Sequence, residues 1–492
     1  MPVTIAFDNS YARLPDRFYA RVAPTPVAQP RLIRLNRALA GELGLDADRL
    51  SEPEGLAMLA GNRIDPQSEP ISMAYAGHQF GQFVPQLGDG RAILLGEVVD
   101  RHGRRRDIQL KGSGATPFSR QGDGRAALGP VLREYIVSEA MAALGVPTTR
   151  SLAAVATGER VRRERWLPGG VLTRVASSHI RVGTFQFFAA RGDGEGVRAL
   201  ADHAIARHYP DAAAATNPYR AFLEAVTFAQ ADLVARWCLI GFIHGVLNTD
   251  NTAVCGETID YGPCAFMDAY HPATVFSSID MQGRYAFGNQ PRILQWNLTR
   301  LAETLLPLLA DEQDAAIAAA EEILGRFPGR FEQRYHAGLR AKLGLATTQE
   351  ADIALARDLL TCMAEGQADF TLTFRRLADA AADPARMDAV RTQFADPARF
   401  DLWAPRWLQR LDAEGGARSA RAAAMRTVNP IYIPRNHLVE AIIEAAVDRD
   451  DFAPFHRLIE VLADPFTARD DLDAFARAPE PHERVLQTFC GT

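Results

Sequence analysis

The 492-residue sequence predicts an α+β fold in two lobes with an extension at either end, on three observations. Glycine-rich loops and strands run from about residue 72 to 176. A mostly helical, alanine-rich part follows from about 196. Two acidic loops stand at the start of that helical part, His-Gly-Val-Leu-Asn-Thr-Asp-Asn at 244–251 and Asp-Tyr-Gly at 260–262. The boundaries drawn on this pattern are an N-terminal extension 1–70, a first lobe 71–190, a second lobe 191–345 and a helical C-terminal extension 346–492.

The elements follow from local pattern. Residues 31–44 place apolar side chains on one face and end in glycine, which predicts an amphipathic helix. Residues 92–99 and 107–111 read as two strands of a hairpin, with a turn over 100–105. Positions 128, 131, 132, 135, 136 and 140 share one helical face, so a helix is expected near 127–144, closed by Gly145-Val-Pro147. Strands are expected at 151–157 and 171–176. A helix over 226–238 leads into the acidic loops. The run 252–255 is expected as a short strand whose hairpin brings those loops together. Further helices are expected near 296–307, between 310 and 382, and at 437–447. Gly-Asp-Gly-Arg-Ala occurs at 88–92 and 122–126, but two copies do not make a repeat fold.

Composition sets limits. Hydrophobic residues are 47% and charged residues 23%, ordinary for a globular chain. The net charge of −6 and the lack of a long basic block argue against nucleic-acid binding. Arg101, Arg104, Arg105 and Arg106 read as a solvated hairpin turn. No apolar run approaches the roughly 18 residues of a membrane span, and the N-terminus lacks a signal-peptide pattern. Five unevenly spaced cysteines without a CxxC pair argue against structural zinc and for a reducing, cytoplasmic location. Cys490, near the C-terminal end, is expected to be exposed, either as an idle thiol or in a redox role.

The side chains that could carry chemistry fall in a set order. Lys111 ends a strand and is followed by the glycine-rich stretch 112–125. Glu134 lies in the helix after it, where it can pair with Lys111 and fix that long side chain. Gly88, Gly90 and Arg91 form a turn whose backbone could approach phosphates. Asp123, Gly124 and Arg125 precede a helix N-terminus, a better anion site. Arg174 and Arg181 suit bidentate phosphate binding, although spacing alone reads them as surface arginines. His179 and His244 read as structural or network residues. Asp250 is the candidate general base, and Asn251 and Asp260 offer oxygens to a hard divalent cation. The order strand Lys, glycine loop, helix Glu, His loop with Asn, then Asp-Tyr-Gly is the layout of a protein-kinase-like fold. One position departs from it. Val246 stands where a kinase keeps its catalytic Asp.

These motifs resemble the selenoprotein O family of kinase-like protein adenylyltransferases. The matching stretches are Tyr-Ala-Gly-His-Gln-Phe-Gly (75–81), Gln-Leu-Gly-Asp-Gly-Arg-Ala (86–92), Gln-Leu-Lys-Gly-Ser-Gly-Ala-Thr-Pro-Phe-Ser-Arg (109–120) and Gly-Asp-Gly-Arg-Ala (122–126). Gly-Val-Pro-Thr-Thr-Arg (145–150), the 244–251 loop, Asp-Tyr-Gly-Pro (260–263) and Gly-Arg-Tyr-Ala-Phe-Gly-Asn-Gln-Pro (283–291) complete them.

The resemblance implies ATP bound in a reversed orientation and AMP transferred to Ser, Thr or Tyr hydroxyls of proteins, or UMP from UTP with Mn²⁺. It implies nucleotide contacts from Gly88, Gly90, Arg91, Lys111, Asp123, Gly124, Arg174, Arg181 and Asp260. It also implies Mg²⁺ or Mn²⁺ on Asn251 and Asp260, and Asp250 as proton acceptor. A nucleotide-binding pseudokinase scaffold is the alternative, and a true kinase stands third. Many relatives pair an activation-loop Cys with a C-terminal Cys. Here the loop position is Phe276, Cys490 matches the C-terminal one, and Cys264 is a substitute partner.

Overall fold

The computed structural model describes residues 4–489. It is an α+β molecule: a large antiparallel sheet, with two small two-stranded sheets, against a helical half that begins after residue 176. Twelve strands are present among the described residues. They are β1 (Tyr19–Arg21), β2 (Arg31–Leu35), β3 (Ile71–Met73), β4 (Gly77–Gln79), β5 (Gln82–Val84), β6 (Ala92–Val99), β7 (Arg105–Lys111), β8 (Ala126–Ala127), β9 (Arg150–Arg162), β10 (Trp166–Ala176), β11 (Phe242–Ile243) and β12 (Ala265–Phe266). The large sheet runs β1-β3-β6-β7-β10-β9-β2, with β8 added along β10. The β6–β7 and β9–β10 hairpins are the two long ladders; the first is the hairpin expected from the sequence, and the second joins two strands expected only singly. β9 and β10 extend well past the expected 151–157 and 171–176, because their outer ends pair with each other beyond the apolar stretch.

The sheet is buried on both faces. One face packs under the short N-terminal helices around Leu39, Met58 and Leu59. The other carries the helix Leu128–Ala143, whose apolar side chains Leu128, Val131, Leu132, Tyr135 and Ile136 are buried as the spacing predicts. That helix is covered from outside by the C-terminal helices Asn436–Arg449 and Ala453–Leu462. Tyr135 meets Phe455 edge-on at 5.5 Å, and Arg133 pairs with Glu440. The helical half has its own core around Phe222, Trp237, Phe266, Leu298 and Trp407.

Three local expectations are corrected. Residues 31–35 form β2, and only Arg37–Glu42 is helical, because Arg31 to Leu35 pairs with the free edge of β9. Cross-strand pairing overrides a weak helical pattern. The run 252–255 is not a strand of a hairpin. Ala253 makes a single antiparallel bridge to Arg181, with Val182 N–H donating to the Thr252 carbonyl at 2.9 Å. The two acidic loops are instead brought together by the β11–β12 ladder, Phe242 opposite Phe266 and Ile243 opposite Ala265. Of the arginine cluster at the β6–β7 turn, Arg101 and Arg104 are exposed, whereas Arg105 and Arg106 are half-buried in β7 and ion-paired to Asp8 and Asp100.

The helices around the acidic loops are longer than expected, Pro218–Ile240 and Gln290–Leu309. The first stops at Gly241, which takes the left-handed φ of 73° and turns the chain into β11. The end of the chain returns to the segment after Asp260. Thr488 N–H donates to the Phe276 carbonyl at 2.7 Å, and its hydroxyl donates to the Pro263 carbonyl at 2.5 Å. Cys264 and Phe276 are buried there, and Cys490 lies outside the described residues. No described helix is long and apolar enough to cross a membrane.

Candidate functional site

All the residues expected to bind nucleotide or metal, to accept the proton or to pair with Lys111 line one cavity of about 740 Å³ between the sheet and the acidic loops: Gly88, Gly90, Arg91, Lys111, Asp123, Gly124, Glu134, Arg174, Arg181, Asp250, Asn251 and Asp260. Eight cationic side chains line it (Arg91, Lys111, Arg120, Arg125, Arg162, Arg163, Arg174, Arg181) against five carboxylates (Asp89, Asp123, Glu134, Asp250, Asp260). The cavity is therefore cationic in a chain whose net charge is −6.

Its floor is a charge network. Lys111, at the end of β7, donates to Glu134 at 2.6 Å and lies 3.5 Å from Asp260. Arg174, opposite Gln109 in the β7–β10 ladder, reaches Glu134 through Nε at 2.7 Å and Asp260 through Nη2 at 2.7 Å. Arg181 donates to the Asp250 carbonyl at 2.6 Å and to Asp260 Oδ2, and stacks 4.6 Å from the Tyr75 ring. Arg174 and Arg181 are 1% and 2% exposed, so the surface reading from spacing is corrected. Strand pairing and the bridge to Ala253 draw both inward to carboxylates that sequence spacing does not bring near.

Electrostatics separates the two aspartates. Burial opposes ionisation of Asp260, but Arg181, Arg174 and Lys111 together outweigh it and hold the carboxyl well below its ordinary range. Its backbone takes φ 63°, the left-handed region that Asp tolerates better than most residues. Asp250 sits in the short helical turn Thr249–Asn251 with one side-chain donor, Gln79 Nε2 at 3.1 Å. Burial pushes its carboxyl up to about 6. Oδ1 of Asp250 is buried without a protein partner. Asn251 donates its amide to the Val246 carbonyl at 2.8 Å, which turns the nitrogen away and leaves the side-chain oxygen as the available ligand atom.

The two glycine loops pack on each other. Thr116 Oγ1 donates to the Asp89 carbonyl at 2.7 Å, and Ser119 Oγ donates to the Gly90 carbonyl. The Phe118 ring lies against Gly88, where a Cβ would come 2.3 Å from the ring. The Asp89 side chain accepts from Met73 N–H and Gln109, each at 3.2 Å, and anchors the first loop. Asp123 is tied to Arg163 at 2.9 Å on the cavity rim. The helix begins only at Leu128, with β8 between it and Gly124. His244 is buried and its Nε2 lies 2.9 Å from the Ile259 carbonyl; His179 lies 2.8 Å from Asp107. Both are network residues, as expected.

Sequence reasoning missed Tyr75, Gln79, Phe118 and Asn248, which also line the cavity. Tyr75 and Gln79 lie in the 75–81 motif, Asn248 lies in the 244–251 loop and Phe118 in the 109–120 motif, but nothing in their spacing marks them. Among the described residues no group of three or more His, Cys, Asp or Glu side chains forms a ready-made metal cage.

A family model described as "Protein adenylyltransferase SelO" matches residues 2–463. The chain is 70% identical to "Protein nucleotidyltransferase YdiU" of Rhodopseudomonas palustris (strain BisB5) over the full length of both. It is 67% identical to the protein of that name from Methylorubrum populi and 66% identical to that from Bradyrhizobium diazoefficiens, again with both chains fully covered.

Proposed function

The chain belongs to the SelO family of protein adenylyltransferases and is a protein nucleotidyltransferase; from that premise we propose that it transfers AMP from ATP to Ser, Thr or Tyr hydroxyls of other proteins, on a bilobal, protein-kinase-like fold. The sheet strands from β3 to β10 then correspond to the first lobe, 71–190, to which β1 and β2 of the N-terminal extension add, and the acidic loops lie in the second, 191–345. UMP transfer from UTP is the same chemistry with another base.

The observation that carries this reading is the grouping of Lys111, Arg174 and Arg181 on Asp260, with Asp250 bridged to the same carboxylate through Arg181. A triphosphate needs concentrated positive charge held in place before it arrives. Arg174 and Arg181 are fixed by carboxylates and strand pairing, so little side-chain entropy is lost on binding. Gly88 and Gly90 keep the loop backbone bare of side chains beside the cavity.

The residues fit a hard divalent cation. Asp260 and the Asn251 oxygen are the donor types that Mg²⁺ or Mn²⁺ takes from protein when phosphates and water complete the shell, and no larger cage is required. Such an ion supplies neutralisation of phosphate charge. Asp250 accepts the proton of the acceptor hydroxyl as its oxygen bonds to the α-phosphorus. The bond from that phosphorus to the bridging oxygen breaks, and pyrophosphate leaves with the electron pair. The arginines stabilise the charge on the departing group. Buried Val246 offers no base where a kinase needs one, which disfavours transfer of the outer phosphate.

Acceptor proteins incubated with ATP labelled on either the α- or the γ-phosphate test the reading. Label enters protein from the α position only, and Asp260→Ala abolishes it. Transfer from the γ position identifies a kinase, and nucleotide binding without transfer identifies a scaffold.

A further inference from the structure

Two of the sequence motifs, 75–81 and 283–291, converge on the 248–251 turn that carries Asp250. β4 and β5 form a hairpin over the 248–251 turn. Gly77 lies flat against Asp250, where a Cβ would come 2.4 Å from Oδ1. His78 N–H donates to Thr249 Oγ1 at 2.7 Å. Gln79 Nε2 donates to Asp250 Oδ2 at 3.1 Å. The turn residue Phe80 takes φ 52°, costly for a bulky side chain. It is held there because its N–H donates both to Asn248 Oδ1 and to the Tyr285 hydroxyl, each at 3.1 Å. Tyr285, from the second motif, also donates to Asn248 Oδ1 at 2.5 Å. A strained turn locked from two sides places one amide against one carboxylate oxygen.

We propose that Gln79 is a positioning residue for nucleotidyl transfer: its amide holds Oδ2 of Asp250 and fixes the carboxylate plane relative to the cavity that the incoming hydroxyl enters. This rests on the reading of Asp250 as proton acceptor. The terminal torsion of an Asp is broad, so an unanchored carboxylate samples orientations that miss the proton. A small misplacement of a catalytic group costs as much as 100-fold in rate.

The test compares Gln79→Ala, Gln79→Met, Asp250→Ala and the double variant Gln79→Ala/Asp250→Ala. The readouts are kcat for label transfer from α-labelled ATP to the proteins of a cell extract, and KM for ATP. Both Gln79 variants are expected to lower kcat about 10- to 100-fold with KM for ATP within about twofold of wild type. The double variant is expected to match the residual rate of Asp250→Ala, because Gln79 acts only through that carboxylate. Gln79→Met keeps the side-chain length, so a folding defect confined to Gln79→Ala leaves the test intact. Wild-type kcat in Gln79→Met overturns the proposal, as does a further full loss when Gln79→Ala is added to Asp250→Ala. Full activity in Asp250→Ala sinks the proton-acceptor reading, and the role of Gln79 with it. An inactive Asp250→Ala beside a fully active Gln79→Met sinks the role of Gln79 alone.

Discussion

Arg174 reaches Asp260 at 2.7 Å with one guanidinium nitrogen while its Nε donates to Glu134 at the same distance. One arginine of β10 thereby joins the helix behind the sheet to the second acidic loop. Glu134 in turn is held below its ordinary range, since Arg174 and Lys111 outweigh the burial that opposes its charge. The sheet, the helix Leu128–Ala143 and the Asp-Tyr-Gly loop are registered on each other by Arg174, with Lys111 beside it, before any nucleotide is bound.

Removing that side chain is expected to be expensive. Breaking a buried ion pair by deleting one partner costs about 3–5 kcal/mol. Arg174→Met belongs at the lower end, because Glu134 keeps Lys111 and Asp260 keeps Lys111 and Arg181. Denaturant unfolding measures the loss directly. ATP affinity is expected to fall with it, and Arg174→Lys is expected to restore little, since a lysine has no fork to span two carboxylates.

Asp250 is expected to trade stability for reactivity. Its folded carboxyl is raised to about 6 from an ordinary 3.8, so the native state binds a proton that the unfolded chain releases between those values. Stability from this group is lost as pH climbs through that window, and the deficit is complete above pH 6. Asp250→Asn is therefore expected to gain about 1–3 kcal/mol at pH 7.5, with the gain shrinking as pH falls toward 4. Thermal unfolding of both proteins across this range checks the sign. Transfer by the native enzyme is expected to decline below pH 6, as the base becomes protonated.

Gly88 is required by a neighbour as well as by its own backbone. It takes φ 84°, and an added Cβ would meet the Phe118 ring at 2.3 Å. Gly88→Ala is expected to separate the two glycine loops and weaken ATP binding by about tenfold or more, a loss of about 1.4 kcal/mol. Adding Phe118→Ala is expected to recover part of that loss, because it removes the clash and leaves only the backbone strain. Calorimetric titration of ATP analogues into the single and double variants measures the coupling.

How much of this was legible depended on whether a residue's role was local. The helix over 128–143, the β6–β7 hairpin and the inner parts of β9 and β10 were readable because periodicity is a local property. The β2 strand was not, since Arg31 to Leu35 carries no strong preference and is decided by the edge of β9. The order Lys111, glycine loop, Glu134, Asp250, Asn251 and Asp260 was readable as a motif, and one cavity gathers these residues. Arg174 and Arg181 looked like surface charges because their partners lie 40 to 86 positions away in sequence. Gln79 carried no signal of its own, since a glutamine between His78 and Phe80 gives no hint that its amide meets a carboxylate 171 positions later.

Lys342 provides a check far from the cavity. It is one of two lysines in the chain, 3% exposed, with Nζ 4.3 Å from the Phe374 ring and 5.5 Å from that of Phe370. Burial pushes its ammonium down to about 7. The unfolded chain holds the proton up to 10.5, so the native state loses stability as pH falls from there to about 7, and the loss is full below it. Lys342→Met is expected to gain about 1–3 kcal/mol at pH 7, after the loss of the ring contacts, and nothing above pH 10.5. A gain that is independent of pH contradicts the titration account.

In the proposed reaction the cations around Asp260 present the inner phosphorus of ATP to the hydroxyl facing Asp250. A crystal structure with a non-hydrolysable ATP analogue and Mn²⁺, located by its anomalous signal, tests this most directly. Manganese is expected between the Asn251 and Asp260 oxygens, with the α-phosphorus the nearest of the three to Asp250. A γ-phosphorus nearest to Asp250, or manganese bound away from both side chains, contradicts it.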